Sequence, residues 1–284
     1  MILVTGATGT VGRSLVLELK ALRAPLRVLT RDPAKARILL GDVEIAVGDV
    51  SRPETVAKAL AGVEAAFLLS PLDPSLPAWE AGFARAAKKA GVKRLVKLSA
   101  LGADAGSPAA ISRWHGEAEA EVARAGVPFT LLRPAAFHQN LLLSAASIRK
   151  GVLPAPMGGA RAAMVDARDV GAAAAAALTA PAALLGATLT LTGPAPLTYA
   201  EAASTLARVL GRAVEYSNTA PDDARRGMLA AGMPAWLIDA LLGLFEQFRA
   251  GRADLASDGV LRATGRAPLS LETFVRDYAA SFLG

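Results

Sequence analysis

The sequence predicts an α/β fold, a doubly wound parallel sheet with a smaller, mainly helical C-terminal lobe. Three observations predict it. A short apolar run leads directly into three evenly spaced glycines, Gly6, Gly9 and Gly12. Short apolar segments then alternate with helical ones along the first half of the chain. Beyond about residue 150 the pattern changes, and longer apolar stretches dominate. Residues 1–150 are therefore expected to form the core, and 151–284 to complete the sheet and build the lobe.

The first unit is Met1-Ile2-Leu3-Val4-Thr5, a buried strand, followed by a tight turn at Gly6-Ala7-Thr8-Gly9 and a helix from Thr10. Glycine suits a backbone that must approach an anion closely, because it has no Cβ to stand in the way. The first amides of the following helix then face that anion. Strand, turn and helix in this order point to a dinucleotide pyrophosphate held by Gly6, Thr8, Gly9, Thr10, Val11 and Gly12.

Leu26–Thr30 makes the second strand and Glu44–Val47 the third. Asp32-Pro33 opens a helix between them as N-cap and first helical residue. Ala65–Leu69, a helix over Ala78–Ala90, Arg94–Leu98, a helix from about Trp114 to Ala125, and Phe129–Leu132 continue the alternation. Such a series builds a Rossmann-type sheet covered on both faces, with ligands at the carboxyl ends of its strands. Asp49, Val50, Leu69, Ser70 and Ser99 occupy those ends and join the cofactor candidates.

The stretch Val170–Ala200 carries no charged residue. Its alanines are weakly apolar, Pro181 and Gly186 interrupt it, and Leu189–Thr192 alternates, so it reads as a buried helix followed by a strand rather than a membrane span. Thr198 and Glu201 form a capping-box pattern ahead of a helix to Leu210. Met228–Phe248, rich in large apolar side chains, reads as a lobe core, a wall over the cleft, or both.

Composition narrows the chemistry. The 284 residues suffice for a substantial core, and the absence of cysteine excludes disulfides, thiolate metal sites and a cysteine nucleophile. The two histidines, His115 and His138, belong to no ligand-spaced cluster, so no metal is expected. A net charge of +6 is spread along the chain without a basic tract, which argues against nucleic acid and suits a phosphorylated cofactor. The chain starts inside its first strand without leader character, so a cytoplasmic protein with no membrane partner, monomeric or homodimeric, is expected.

Cofactor choice is read after the second strand, where a carboxylate would receive an adenosine ribose. Thr30 and Arg31 stand there instead, and a guanidinium can grip a 2′-phosphate through paired, charge-assisted hydrogen bonds. NADP(H) is expected, with Lys35 reinforcing the phosphate pocket.

With these segments in place the chain resembles the NmrA-like branch of the atypical short-chain dehydrogenase/reductases. The likeness rests on Val4–Arg13, Val96–Ala100, Gly116–Glu119, Phe129–Pro134, Phe137–Asn140, Val165–Val170 and Leu191–Pro194. The resemblance implies relatives that reduce quinones, azo dyes or triphenylmethane dyes, or that sense cofactor. The tyrosine and lysine of the wider superfamily, four residues apart, would fall at Trp114 and Ala118, so the ordinary alcohol dehydrogenase mechanism is disfavoured. A quinone or conjugated dye needs less help from a positioned acid. His138 and His115 are the candidate proton donors, with Ser99 more remote. Trp114, Phe137, Gln139, Asn140, Met228 and Trp236 are the candidate substrate contacts for an aromatic or quinonoid small molecule. The leading expectation is an NADPH-dependent reductase; a redox-sensing binding module is the alternative, and an isomerase or epimerase a third.

Overall fold

The computed structural model describes residues 1–179 and 182–284. Its strands are β1 (Ile2–Val4), β2 (Leu26–Thr30), β3 (Glu44–Val47), β4 (Ala65–Leu68), β5 (Arg94–Leu98), β6 (Phe129–Pro134), β7 (Val152–Ala155), β8 (Arg161–Ala162), β9 (Thr188–Leu191), β10 (Leu197–Thr198) and β11 (Glu215–Asn218). Seven of these form one parallel sheet in the order β3-β2-β1-β4-β5-β6-β9. Strand β1 is central: Ile2 pairs with Leu26 on one side and Ala65 on the other. The order reverses between β1 and β4, which opens a crevice at their carboxyl ends.

The first helices are α1 (Thr10–Ala21), α2 (Pro33–Leu40), α3 (Pro53–Ala59), α4 (Leu76–Lys89) and α5 (Ala110–Ala125). Then come α6 (Ala145–Ile148), α7 (Ala167–Thr179), α8 (Tyr199–Leu210), α9 (Pro221–Ala230), α10 (Ala235–Arg249), α11 (Gly259–Thr264), α12 (Leu271–Asp277) and α13 (Ala279–Leu283). Helices α1 and α7 cover one face of the sheet, meeting Val4, Phe67, Val96 and Leu132. Helices α3, α4 and α5 cover the other, meeting Leu3, Leu68 and Leu95. Leu3, Leu15, Leu19 and Phe67 are wholly buried, each contributing roughly 1.5–3 kcal/mol. A second core joins α6, β7, α8, α12 and α13 through Ile148, Leu153, Leu206, Phe274 and Phe282.

Local signals act where the sequence places them. The Asp32 carboxylate accepts from the Lys35 amide at 2.9 Å with Pro33 at the first helical turn. Thr198 and Glu201 cap each other's amides at 2.7 and 3.1 Å, a device worth about 1 kcal/mol. Strands β2, β3 and β5 have the expected bounds. The charge-free stretch is the end of α7 followed by β9, while the interruption expected at Pro181 lies outside the described residues.

One segment differs from expectation. Helix α5 starts at Ala110, ahead of Trp114, because Ser107-Pro108 ends the preceding loop and Arg113 reaches back to the Ser107 carbonyl. Met228–Phe248 is divided between α9 and α10, since Gly232 takes φ +80° and Pro234 stands as the N-cap of α10. Among the described residues no helix is long and apolar enough to cross a membrane.

Candidate functional site

The crevice between β1 and β4 is a cleft of about 290 Å³. Gly6, Ala7, Thr8 and Gly9 line its floor, Thr30 and Arg31 after β2 and Gly48, Asp49 and Val50 after β3 line one side, and Leu69, Ser70 and Pro71 after β4 the other. The glycines do three different things. Gly6 takes φ +62°, which an L side chain rarely adopts. A Cβ on Gly12 would stand 2.1 Å from the Gly6 carbonyl oxygen, so this glycine lets α1 close on the turn. Gly9 is the N-cap of α1 in extended conformation, and no side chain caps the helix there. The helix start is thus left open toward the cleft, an arrangement that favours an anion. Thr10, exposed, and Val11, buried, follow as the first residues of α1 outside the cleft lining.

Arg31 stands at the rim, its side chain 73% exposed, with Nη1 3.5 Å from Asp49 Oδ2. Asp49 is held more tightly. Its carboxylate accepts from the Ser51 amide at 2.8 Å, and its backbone is tied to Thr55 Oγ1 at 3.1 and 2.9 Å. Burial works against its charge, but the Ser51 contact and the nearby Arg31 and Arg52 keep the carboxyl below the usual range. Lys35 is exposed on the first turn of α2, beyond the lining of the cleft.

Behind Ser70 lies a dry polar cluster. Glu80 on α4 and Lys97 on β5 are both fully buried, with Oε2 and Nζ 2.6 Å apart. Ser70, 6% exposed as a residue, faces the same carboxylate, and its buried hydroxyl makes no well-aligned hydrogen bond. Burial pushes the Glu80 carboxyl upward against the pull of Lys97. On the far side, His115 of α5 presents Nδ1 to Lys97 Nζ at 3.4 Å. Burial and then the Lys97 ammonium hold its pKa well below 6.5, so the ring is neutral and Nδ1 is its acceptor. One step along, Ser99 donates to Glu119, which also receives Arg133. Ser99 is 4% exposed and lies outside the lining of the cleft.

His138 is 2% exposed, with its ring 5.5 Å from that of Phe274. Burial lowers its pKa to about 4, opposed by Asp166 and reinforced by Arg168. Phe137 bridges to Val165 and packs on the core of α1 and α7. Gln139 caps α7, not the turn that follows it: Oε1 accepts from Ala167 N at 3.0 Å and Nε2 donates to Asp166 at 2.8 Å. Asn140 is exposed. Trp114 and Trp236 meet edge to face, ring centroids 6.1 Å apart, where α10 crosses α5. Met228 is part-buried on α9. Among the described residues no group of histidines and carboxylates is arranged for a metal ion.

Sequence reading passed over Glu80, Glu119 and Arg133 as site neighbours. A signal was present: a lysine inside the apolar run Arg94–Leu98, on a strand covered on both faces, demands a buried counter-charge. Glu80 is the acidic residue of α4.

A doubly wound sheet with a glycine-floored, amide-rich crevice at its reversal defines a dinucleotide-binding α/β protein. The family model described as NmrA-like family matches residues 1–254, and the chain belongs to that family. It is 38% identical over 284 residues to an NAD(P)H azoreductase of Xenophilus azovorans, covering 99% of both chains. It is 37% identical, again over 99% of both, to a (4-alkanoyl-5-oxo-2,5-dihydrofuran-3-yl)methyl phosphate reductase of Streptomyces griseus. The NADPH-dependent quinone oxidoreductase of Escherichia coli, solved in complex with NADPH, superposes with a TM-score of 0.88 at 29% identity, covering 98% of this chain and all of that one.

Proposed function

We propose that this NAD(P)H-dependent reductase passes hydride directly to an apolar conjugated acceptor, a quinone or an azo or imine compound, without a tyrosine–lysine pair. The observation that carries the reading is the cleft itself. Its floor is the Gly6–Gly9 turn, a guanidinium stands at its rim, and the buried Ser70 hydroxyl beside it lacks an aligned partner. These residues fit NADP(H): the Gly6–Gly9 turn and the start of α1 for the pyrophosphate, Arg31 with Lys35 nearby for the 2′-phosphate, and Asp49, Val50 and Leu69 for the adenosine. When bound, the cofactor supplies a hydride.

The protein's own residues position and exclude water. Trp114 and Trp236 meet edge to face where α10 of the lobe crosses α5, while Phe137 stands separately beyond the end of β6. A planar, conjugated acceptor suits contact with such aromatic rings. In this reading residues 1–150 hold the cofactor and 151–284 complete the sheet and cover the acceptor. Neither histidine acts as an acid: His138 is neutral and dry, and His115 turns Nδ1 toward a buried ammonium. An acceptor whose reduced anion is well stabilised takes its proton from water. The relatives' activities, on azo compounds, on a quinone and on an unsaturated lactone, share this conjugated character.

The test follows NADPH absorbance with purified protein against quinones, azo dyes, imines, unsaturated lactones and simple ketones. Fast oxidation with one conjugated class and none with simple ketones is expected. Tight cofactor binding without turnover on any of them overturns the reading in favour of a redox-sensing module.

A further inference from the structure

The cleft carries a negative charge that a phosphate-binding role does not call for. Asp49 faces Arg31 across the rim at 3.5 Å, and the two side chains differ in freedom. The carboxylate is pinned by the Ser51 amide, with its backbone clamped on both sides by Thr55, and is 21% exposed. The guanidinium is 73% exposed, and its ion pair with Asp49 is longer than an aligned hydrogen bond. A fixed carboxylate and an exposed, loosely paired guanidinium share one rim.

We propose that Asp49 sets the choice between NADPH and NADH by competing with the 2′-phosphate for Arg31. The proposal rests on the reading above, in which Arg31 receives that phosphate. With NADH, nothing draws Arg31 away, and Asp49 stays neutralised. With NADPH, Arg31 turns to the phosphate and Asp49 loses its closest counter-charge, keeping only the more distant Arg52. The carboxylate then also lies near a phosphate of the same sign. Both effects fall on NADPH alone, so Asp49 narrows the preference that Arg31 creates and leaves NADH usable. A contribution of Asp49 to the adenosine, common to both cofactors, cancels in the ratio of their affinities.

Asp49→Asn is the informative variant, because its side-chain oxygen still accepts from the Ser51 amide while the charge is gone. Removing one unit charge that faces the guanidinium receiving the phosphate, in a setting intermediate between water and protein, changes affinity by about tenfold. The experiment titrates NADPH and NADH separately by nicotinamide fluorescence into the wild type, Asp49→Asn, Arg31→Ala and the double variant. Expected is a rise of about tenfold in the NADPH-to-NADH affinity ratio for Asp49→Asn, largely lost when Arg31 is already alanine. An unchanged ratio, an equal fall for both cofactors, or a shift that persists in full without Arg31 overturns the proposal. Failure of the underlying reading shows separately: Arg31→Ala alone would then leave the wild-type ratio untouched.

Discussion

Lys97→Met removes the positive half of an ion pair that has no access to water. The pair spans α4 and β5, with Glu80 and Lys97 both 0% exposed and 2.6 Å apart. Methionine fills most of the lysine stem, so the main effect is electrostatic rather than a cavity. The stranded Glu80 carboxylate escapes by taking a proton, and this sets a ceiling on the loss. From the ordinary value of 4.5, keeping a carboxyl protonated at pH 7 costs about 3.4 kcal/mol at 1.36 kcal/mol per pH unit. That agrees with the roughly 3–5 kcal/mol found when buried pairs lose one partner. The penalty should shrink by about 1.4 kcal/mol for each unit of acidification, to about 1.4 kcal/mol at pH 5.5. Urea unfolding of wild type and variant at pH 5.5, 7 and 8 reads this directly. The double variant Glu80→Leu/Lys97→Met, which leaves no charge behind, should recover most of the stability that either single change loses. A loss in Lys97→Met that is the same at every pH, or single losses that simply add in the double variant, would refute the reasoning.

The two loop glycines should fail differently. Gly9→Val, at an extended N-cap where a Cβ meets only the Gly6 carbonyl at 3.3 Å, should keep thermal stability within about 1 kcal/mol yet abolish NADPH binding by calorimetry. Gly12→Ala, with its Cβ 2.1 Å from the Gly6 carbonyl, should lose cooperative folding itself, seen in the melting curve. Arg31→Ala should weaken NADPH by about tenfold or more and NADH by much less; equal losses would remove the guanidinium from the 2′-phosphate. For His138 the folded pKa of about 4 lies below the ordinary 6.5, so the unfolded chain binds more protons between those values and stability falls as pH drops through that window. The contribution reaches about 3 kcal/mol; His138→Leu should flatten that part of the stability profile, and the same slope in the variant would assign it elsewhere. His138→Leu should also leave the pH profile of turnover unchanged.

How much was legible in the sequence differs from element to element. Strand β2, the Asp32 cap of α2 and the Thr198–Glu201 box were readable because their causes are local: an apolar run between turns, a short polar side chain three residues before the amide it receives, a proline where no amide is needed. The glycine-floored cleft was readable for a related reason, since strand, glycine turn and helix are consecutive in the chain. The start of α5 is not legible because it depends on Arg113 folding back on the Ser107 carbonyl, and the break between α9 and α10 at Gly232 and Pro234 lies inside one apolar stretch.

Sequence by itself determined the parallel sheet, the glycine turn ahead of α1 and the arginine at the end of β2, because each follows from neighbours within a few residues. Only tertiary structure decided that Glu80 is the partner of Lys97, that Ser99 spends its proton on Glu119, that Gln139 caps α7 and that Asp49 faces Arg31. Those contacts join residues 17 to 28 positions apart, on different elements of the fold. The physical reason is that a buried charge or hydroxyl takes whatever partner the packing of helices on the sheet brings within about 3 Å, and spacing along the chain carries no record of that choice.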